Sequence, residues 1–134
     1  MKDSLILVDT SIWIDALRKP AVKGISELLG SLLLEHKISM HPLVKLELLS
    51  GTTQDSEFNK LYLELSALEE LEVTPEVWEL ASQWGFQLRR KGLTIPNTDL
   101  LIAVTVHFYH AFLWHQDKHY DLIAKYLDIK MFKG

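Results

Sequence analysis

The sequence predicts an α/β fold in which a parallel sheet is covered by helices on both faces. Short apolar runs alternate with longer segments of helical spacing along the chain. Pro42, Pro75 and Pro96 each stand where a helical segment opens, and the acids Asp9 and Asp117 each follow an apolar run. Such alternation is the pattern of βα units, whose parallel sheets gather ligands outside the carboxyl ends of their strands.

Taken in order, residues 4–8 form an apolar run bounded by charge, the mark of a short buried strand. Thr10 or Ser11 can cap a helix over Ile12 to Leu17, which must end before Pro20. Residues 21–35 carry apolar side chains at 21, 22, 25, 28, 29 and 32, the spacing of one helix face. A second strand is expected over 37–40. Pro42, at a favoured first-turn position, opens a helix that stops near Gly51. Phe58, Leu61, Leu65 and Leu68 make a stripe for a helix over 55–68. Residues 71–73 are read as a third strand. A helix then runs from Pro75 to about Lys91, with Gly92 behind it, and another from Pro96 through Val106. A strand over 111–114, a helix over 120–127 and a last strand over 129–132 complete the chain, expected as one domain over residues 1–134.

The 134 residues are 48% hydrophobic and 24% charged, an ordinary globular composition. No apolar run approaches the ~20 residues of a membrane span, so no membrane partner is expected. The early apolar strand leaves no place for a signal peptide. The chain has no cysteine, which excludes disulfides and thiolate metal sites and suits a reducing compartment. The expected location is therefore cytoplasmic. A net charge of -4 argues against a surface that is basic throughout. Attraction for nucleic acid would come from a bound cation or from local patches: Arg18-Lys19 with Lys23, Arg89-Arg90-Lys91, and Lys118. Each patch also suits a solvated helix end, where cations are favoured anyway.

Four separated carboxylates carry the chemistry. Asp9 closes the first strand, and two other residues beside it can serve as helix caps. Glu47 lies three and four residues beyond Val44 and Leu43, beside an apolar stripe where a carboxylate is costly unless paired or coordinated. Asp99 falls in the first turn after Pro96, ahead of the apolar run Leu100-Leu101-Ile102-Ala103-Val104. Asp117 follows Phe112-Leu113-Trp114 in the polar loop His115-Gln116-Asp117-Lys118-His119. Gathered at one sheet edge, these acids would repel one another and require a divalent cation; Mg2+ or Mn2+ suits an oxygen donor set. This points to a metal-dependent phosphodiesterase, with Asp117 the ligand most suited to a water-mediated contact. His107, His110, His115 and His119 offer zinc as a rival, but no H-E-x-x-H pattern accompanies them. His115 and His119 also suit phosphate contact or proton carriage near the ion.

Several local strings resemble a known family. Leu7-Val8-Asp9-Thr10-Ser11-Ile12-Trp13-Ile14-Asp15 is similar to the opening strand and turn of PIN-domain nucleases, particularly the VapC-like toxins of bacterial toxin–antitoxin pairs. His41-Pro42-Leu43-Val44-Lys45-Leu46-Glu47-Leu48-Leu49-Ser50-Gly51 resembles the second acidic element. Arg89-Arg90-Lys91-Gly92, Pro96 and Asp99-Leu100-Leu101-Ile102-Ala103 resemble the third, and Asp117-Lys118-His119-Tyr120 with Ile123-Ala124 the fourth. Two positions depart from the pattern: the family often has Thr or Ser where this chain has His115, and many members have an acid where it has His119.

The resemblance implies a PIN-like three-layer α/β/α fold with a central parallel sheet of four to five strands. It implies an Mg2+- or Mn2+-dependent endoribonuclease that cuts tRNA or ribosomal RNA to 5′-phosphate and 3′-hydroxyl ends and so stops translation. Asp9, Glu47, Asp99 and Asp117 would be the catalytic and metal-binding acids. Thr10, Ser11, Arg89, Arg90, Lys91, His115 and His119 would contact substrate. The implied partners are a second copy in a homodimer and a small antitoxin seated helix-in-groove, with Ile12, Trp13 and Leu17 as candidate lining. Two other classes compete. A receiver-type phosphoacceptor domain needs an acidic pair after the first strand, where Asp9 stands alone. A catalytically silent interaction module would not need to keep all four acids.

Overall fold

The computed structural model describes residues 5–134; Ser4, the first residue of the expected opening strand, lies outside them. Five strands form one sheet: β1 (Ile6–Val8), β2 (Ile38–Met40), β3 (Glu69–Glu70), β4 (Phe112–Trp114) and β5 (Lys130–Met131). Their order is β3-β2-β1-β4-β5, and every neighbouring pair is parallel. Central β1 is apolar throughout and buried along its length, as expected of a parallel strand covered on both faces. The chain steps from β1 outward through β2 to β3, then returns to the other side of β1 as β4. The topological switch point, where ligands collect in open parallel sheets, therefore lies between the carboxyl ends of β1 and β4. That edge is closed by the Asp9 amide, which donates to the Trp114 carbonyl at 2.9 Å.

Seven helices flank the sheet: α1 (Thr10–Leu17), α2 (Lys23–Leu34), α3 (Pro42–Ser50), α4 (Asp55–Ser66), α5 (Pro75–Arg90), α6 (Asn97–Tyr109) and α7 (Lys118–Ile123). This is the three-layer α/β/α arrangement that the alternation predicts. Helix α1 packs on α2 and α3, while α6 packs on α5 and α7. Residues Leu100 to Val106 of α6 are all buried, so this helix is core rather than an amphipathic cover. Among the described residues no helix is long and apolar enough to cross a membrane.

Three expectations need correction. The third strand lies at Glu69–Glu70 rather than 71–73. It is an edge strand with exposed glutamates, and the apolar signal came from Leu71, buried just beyond it with its amide on the Met40 carbonyl at 2.8 Å. The first helix begins at Thr10, and neither Thr10 nor Ser11 caps it. The last helix spans Lys118–Ile123 rather than 120–127, because Asp117 caps it two residues earlier than its apolar spacing suggests.

Candidate active site

The site grows from the switch point. Asp9 follows β1 directly, occupies the N-cap position of α1 in an extended conformation, and makes no side-chain cap. Asp9 is 8% exposed, and its carboxylate is spoken for elsewhere. Tyr120 donates its phenol hydrogen to Oδ1 at 3.1 Å, and Ser11 donates to Oδ2 at 3.1 Å. Thr10 turns the other way and donates to Glu47 Oε1 at 2.6 Å, so α3 is tied to the start of α1 beside Asp9. Glu47 is exposed. Contrary to expectation, then, it carries no burial cost on an apolar stripe; a hydroxyl from the neighbouring helix holds it.

Asp99 and Asp117 approach from α6 and from the loop after β4. Asp117 is the N-cap of α7, and its Oδ1 accepts from the His119 amide at 2.9 Å. The His119 ring folds back over the same loop: Nδ1 lies 2.9 Å from Asp99 Oδ2 and 3.2 Å from Asp117 Oδ1. Burial raises the proton affinity of Asp99, and the carboxylates of Asp117 and Asp9 raise it further, against the opposing hydrogen bond and charge of His119. Tyr120, fully buried, is held protonated far above the ordinary phenol range by burial and then by the charges of Asp9 and Asp99. It is therefore a fixed donor to Asp9.

Asp99, Asp117 and His119 each place a ligand atom within 4.8 Å of the others, the one such group able to hold a metal ion among the described residues. Asp9 is close enough for its charge to act on Asp99. Two carboxylates and an imidazole within reach of one another, with the Asp9 charge acting on them from beside the cluster, are a donor set that fits a divalent cation. Glu47 stands at the margin, joined through Thr10.

Two supports were not legible as site residues. Tyr120 follows Asp117-Lys118-His119 directly, but nothing local marks a phenol whose partner is 111 residues away. His41, completely buried, caps α3 by accepting from the Leu43 amide at Nδ1 (3.0 Å). Its Nε2 then donates to Thr105 Oγ1 at 3.0 Å, and that hydroxyl donates to the Leu101 carbonyl at 2.6 Å. Burial lowers the His41 pKa to about 4, so it is a neutral strut joining α3 to α6. The available signal was a histidine immediately before a helix-opening proline.

The remaining candidates divide. His115 accepts from the Asp117 amide at Nδ1 (3.0 Å), and its side chain, 9% exposed, turns Nε2 toward Asp121 at 3.5 Å. It shapes the loop that presents Asp117. His107 binds the Asp128 carbonyl, so the four histidines of the zinc alternative do not converge. Arg89 and Arg90 line a groove of about 570 Å3 between α5 and α6, while the Lys91 ammonium lies 5.4 Å over the Tyr126 ring. Ile12 and Trp13, at 1% and 4% exposure, belong to the core and cannot line a groove; only Leu17 of that trio is open, at 47%. The apolar spacing of α1 serves its packing against α2 and α3.

Comparison with known proteins agrees with this fold. The solved structure of VapBC2 from Rickettsia felis, bound to a promoter DNA fragment, matches with a TM-score of 0.74 at 22% identity, over 96% of this chain and 97% of that one. FitAcB from Neisseria gonorrhoeae and VapBC-1 from nontypeable Haemophilus influenzae each match with a TM-score of 0.72 at 20% identity, over 96% of this chain and 97% of theirs. A search of curated proteins finds no match. The family model for the PIN domain matches residues 6–126, which takes in Asp9, Glu47, Asp99 and Asp117. The chain belongs to the PIN domain family.

Proposed function

We propose that the chain is a cytoplasmic metal-dependent endoribonuclease, the toxin of a toxin–antitoxin pair, acting on structured RNA such as tRNA or ribosomal RNA. The observation that carries the reading is the approach of Asp99, Asp117 and His119 to within one ligand cluster, with the charge of Asp9 at the end of β1 acting on Asp99, in a PIN-domain fold. The toxin role, a small antitoxin partner and a homodimer rest on likeness to neighbours that are themselves toxin–antitoxin complexes.

Asp9, Asp99, Asp117 and His119 would hold the cation, with Glu47 at its margin. When bound, Mg2+ or Mn2+ supplies charge for a phosphate oxygen and lowers the pKa of a coordinated water. The protein's own share is to keep the acids preorganised: Tyr120 and Ser11 fix both oxygens of Asp9, and the α7 cap fixes Asp117. Exposed Glu47, steered by Thr10, can orient a water or a ribose hydroxyl at the open side. Arg89 and Arg90 provide cations for the RNA backbone on a chain whose net charge is -4.

The test is incubation of purified, antitoxin-free protein with total tRNA and ribosomal RNA in Mg2+ or Mn2+, and then in EDTA. Discrete fragments that require the ion and vanish in Asp9→Asn support the reading. Folded protein that cuts nothing with either ion refutes it in favour of a silent interaction module.

A further inference from the structure

We infer that Phe86 and Tyr126, with the Arg90 and Lys91 cations beside them, form a platform on which unpaired bases of the RNA stack. The inference rests on RNA as the substrate in the reading above and adds the side chains that hold its bases. Both rings lie open on the surface, Phe86 at 60% and Tyr126 at 41% exposure. The Arg90 guanidinium lies 5.4 Å from the Phe86 ring centre, and the Lys91 ammonium lies 5.4 Å from that of Tyr126. Arg90 and Lys91 are consecutive at the C-terminal end of α5, so the end of one helix sets two ring–cation pairs side by side. A single exposed ring is ordinary. Two rings, each with its own cation, offer at once the stacking face and the phosphate contact that an unpaired strand needs.

Charge decides which partner this face takes. Residues 86–91 hold three cations and no acid, whereas residues 55–79 hold eight acids and one lysine. A polyanion is therefore drawn to the first segment and repelled by the second. Position links the platform to the chemistry. Phe86, Arg89 and Arg90 line the groove whose wall also includes Asn97 and Leu100, on either side of Asp99 in the first turn of α6. A strand stacked on Phe86 has its next phosphates along a groove that leads to an acid of the cation site. Duplex RNA keeps its bases stacked on one another and cannot use the rings, so the platform selects unpaired segments.

Fluorescence anisotropy in EDTA measures how the full-length protein binds a short, labelled, unstructured RNA and the same strand in a duplex, with no cleavage to interfere. The inference expects Phe86→Leu and Tyr126→Leu each to weaken single-strand binding about 5- to 100-fold and to leave duplex binding unchanged, while Phe86→Trp binds as the parent does. The slope of log affinity against log salt should hold in Phe86→Leu and shrink by about 0.7 in Arg90→Gln. Circular dichroism and thermal melting establish that the variants fold. Single-strand binding equal to the parent's in both leucine variants overturns the inference, as does an equal loss on the duplex. A parent dimer that Phe86→Leu converts to monomer in sedimentation also overturns it, since a second copy then covers the face. Ring-dependent binding by protein that cuts nothing with Mn2+ upholds the platform and overturns the nuclease reading; cleavage without ring-dependent binding does the reverse.

Discussion

Tyr120 and Asp9 are separated by 111 residues of sequence, yet the buried phenol donates to Asp9 Oδ1 at 3.1 Å. The bond fastens the first turn after β4 to the end of β1, the two strand ends that flank the switch point. Hydrogen bonds to charged groups contribute about 1.5–3 kcal/mol, and a buried acceptor left without its donor loses about that much. Tyr120→Phe should lower unfolding free energy by about 1–2 kcal/mol and slow RNA cleavage by roughly tenfold. Urea unfolding and initial cleavage rates measure both. Unchanged values for the variant would show that the phenol does not position Asp9.

His41 makes stability depend on pH. Its pKa falls from 6.5 to about 4 in the fold because burial disfavours the imidazolium. The unfolded chain therefore binds an extra proton between those values. The stabilisation is complete above pH 6.5 and is lost as the pH falls toward 4, a change of at most about 3 kcal/mol. Urea midpoints between pH 7 and pH 4 should drop more steeply for the parent than for His41→Gln. Parallel curves would remove His41 from the account.

Asp99 occupies a place that is poor for stability and good for a cation. Burial and the charges of Asp117 and Asp9 all oppose its ionised form. Asp99→Asn keeps an oxygen to accept from His119 and removes the repulsion. The ion-free variant should be as stable as the parent, or more stable by up to about 1 kcal/mol. The parent should gain thermal stability from Mn2+ by mass action, and the variant should lose most of that gain. Melting curves with Mn2+ and with EDTA decide it; equal Mn2+ stabilisation of both proteins would place the ion elsewhere.

Two helical glycines should respond differently to alanine. A Cβ at Gly30 meets nothing within 4 Å, so Gly30→Ala should gain about 0.5–1 kcal/mol from helix propensity alone. At Gly85 the new atom would lie 3.0 Å from Leu100 Cδ2, where α5 packs on α6 at the edge of the groove. Gly85→Ala should forfeit that gain or turn it into a loss. Chemical denaturation separates the two, and an equal gain at both positions would mean that α5 and α6 part easily.

The fold was legible where local pattern and tertiary role coincide. Leu5 to Val8 reads as a buried strand because it is apolar on both faces, and Pro42 and Pro75 open helices where they occur. The third strand lies two residues before its expected place because two glutamates at a sheet edge have no apolar signature, whereas buried Leu71 beside them does. The acids were legible from their places at strand and helix ends. Their supports were not, because Tyr120 acts on Asp9 and His41 acts on Thr105 across long stretches of chain. Trp13 was open to two readings, because an apolar side chain beside a site residue is equally suited to a groove or a core, and here it is core.

The most direct test of the central claim is the chemistry of the RNA ends. Fragments produced from tRNA in Mn2+ by the antitoxin-free protein should carry 5′-phosphate and 3′-hydroxyl ends, the outcome the family resemblance implies, in which an ion-assisted water attacks and the 3′ oxygen leaves. They should be absent from parallel reactions with Asp99→Asn or with EDTA. Cyclic 2′,3′-phosphate ends, or fragments that persist in Asp99→Asn, would contradict the account, because the cut would then come from the ribose hydroxyl or from a site without these carboxylates.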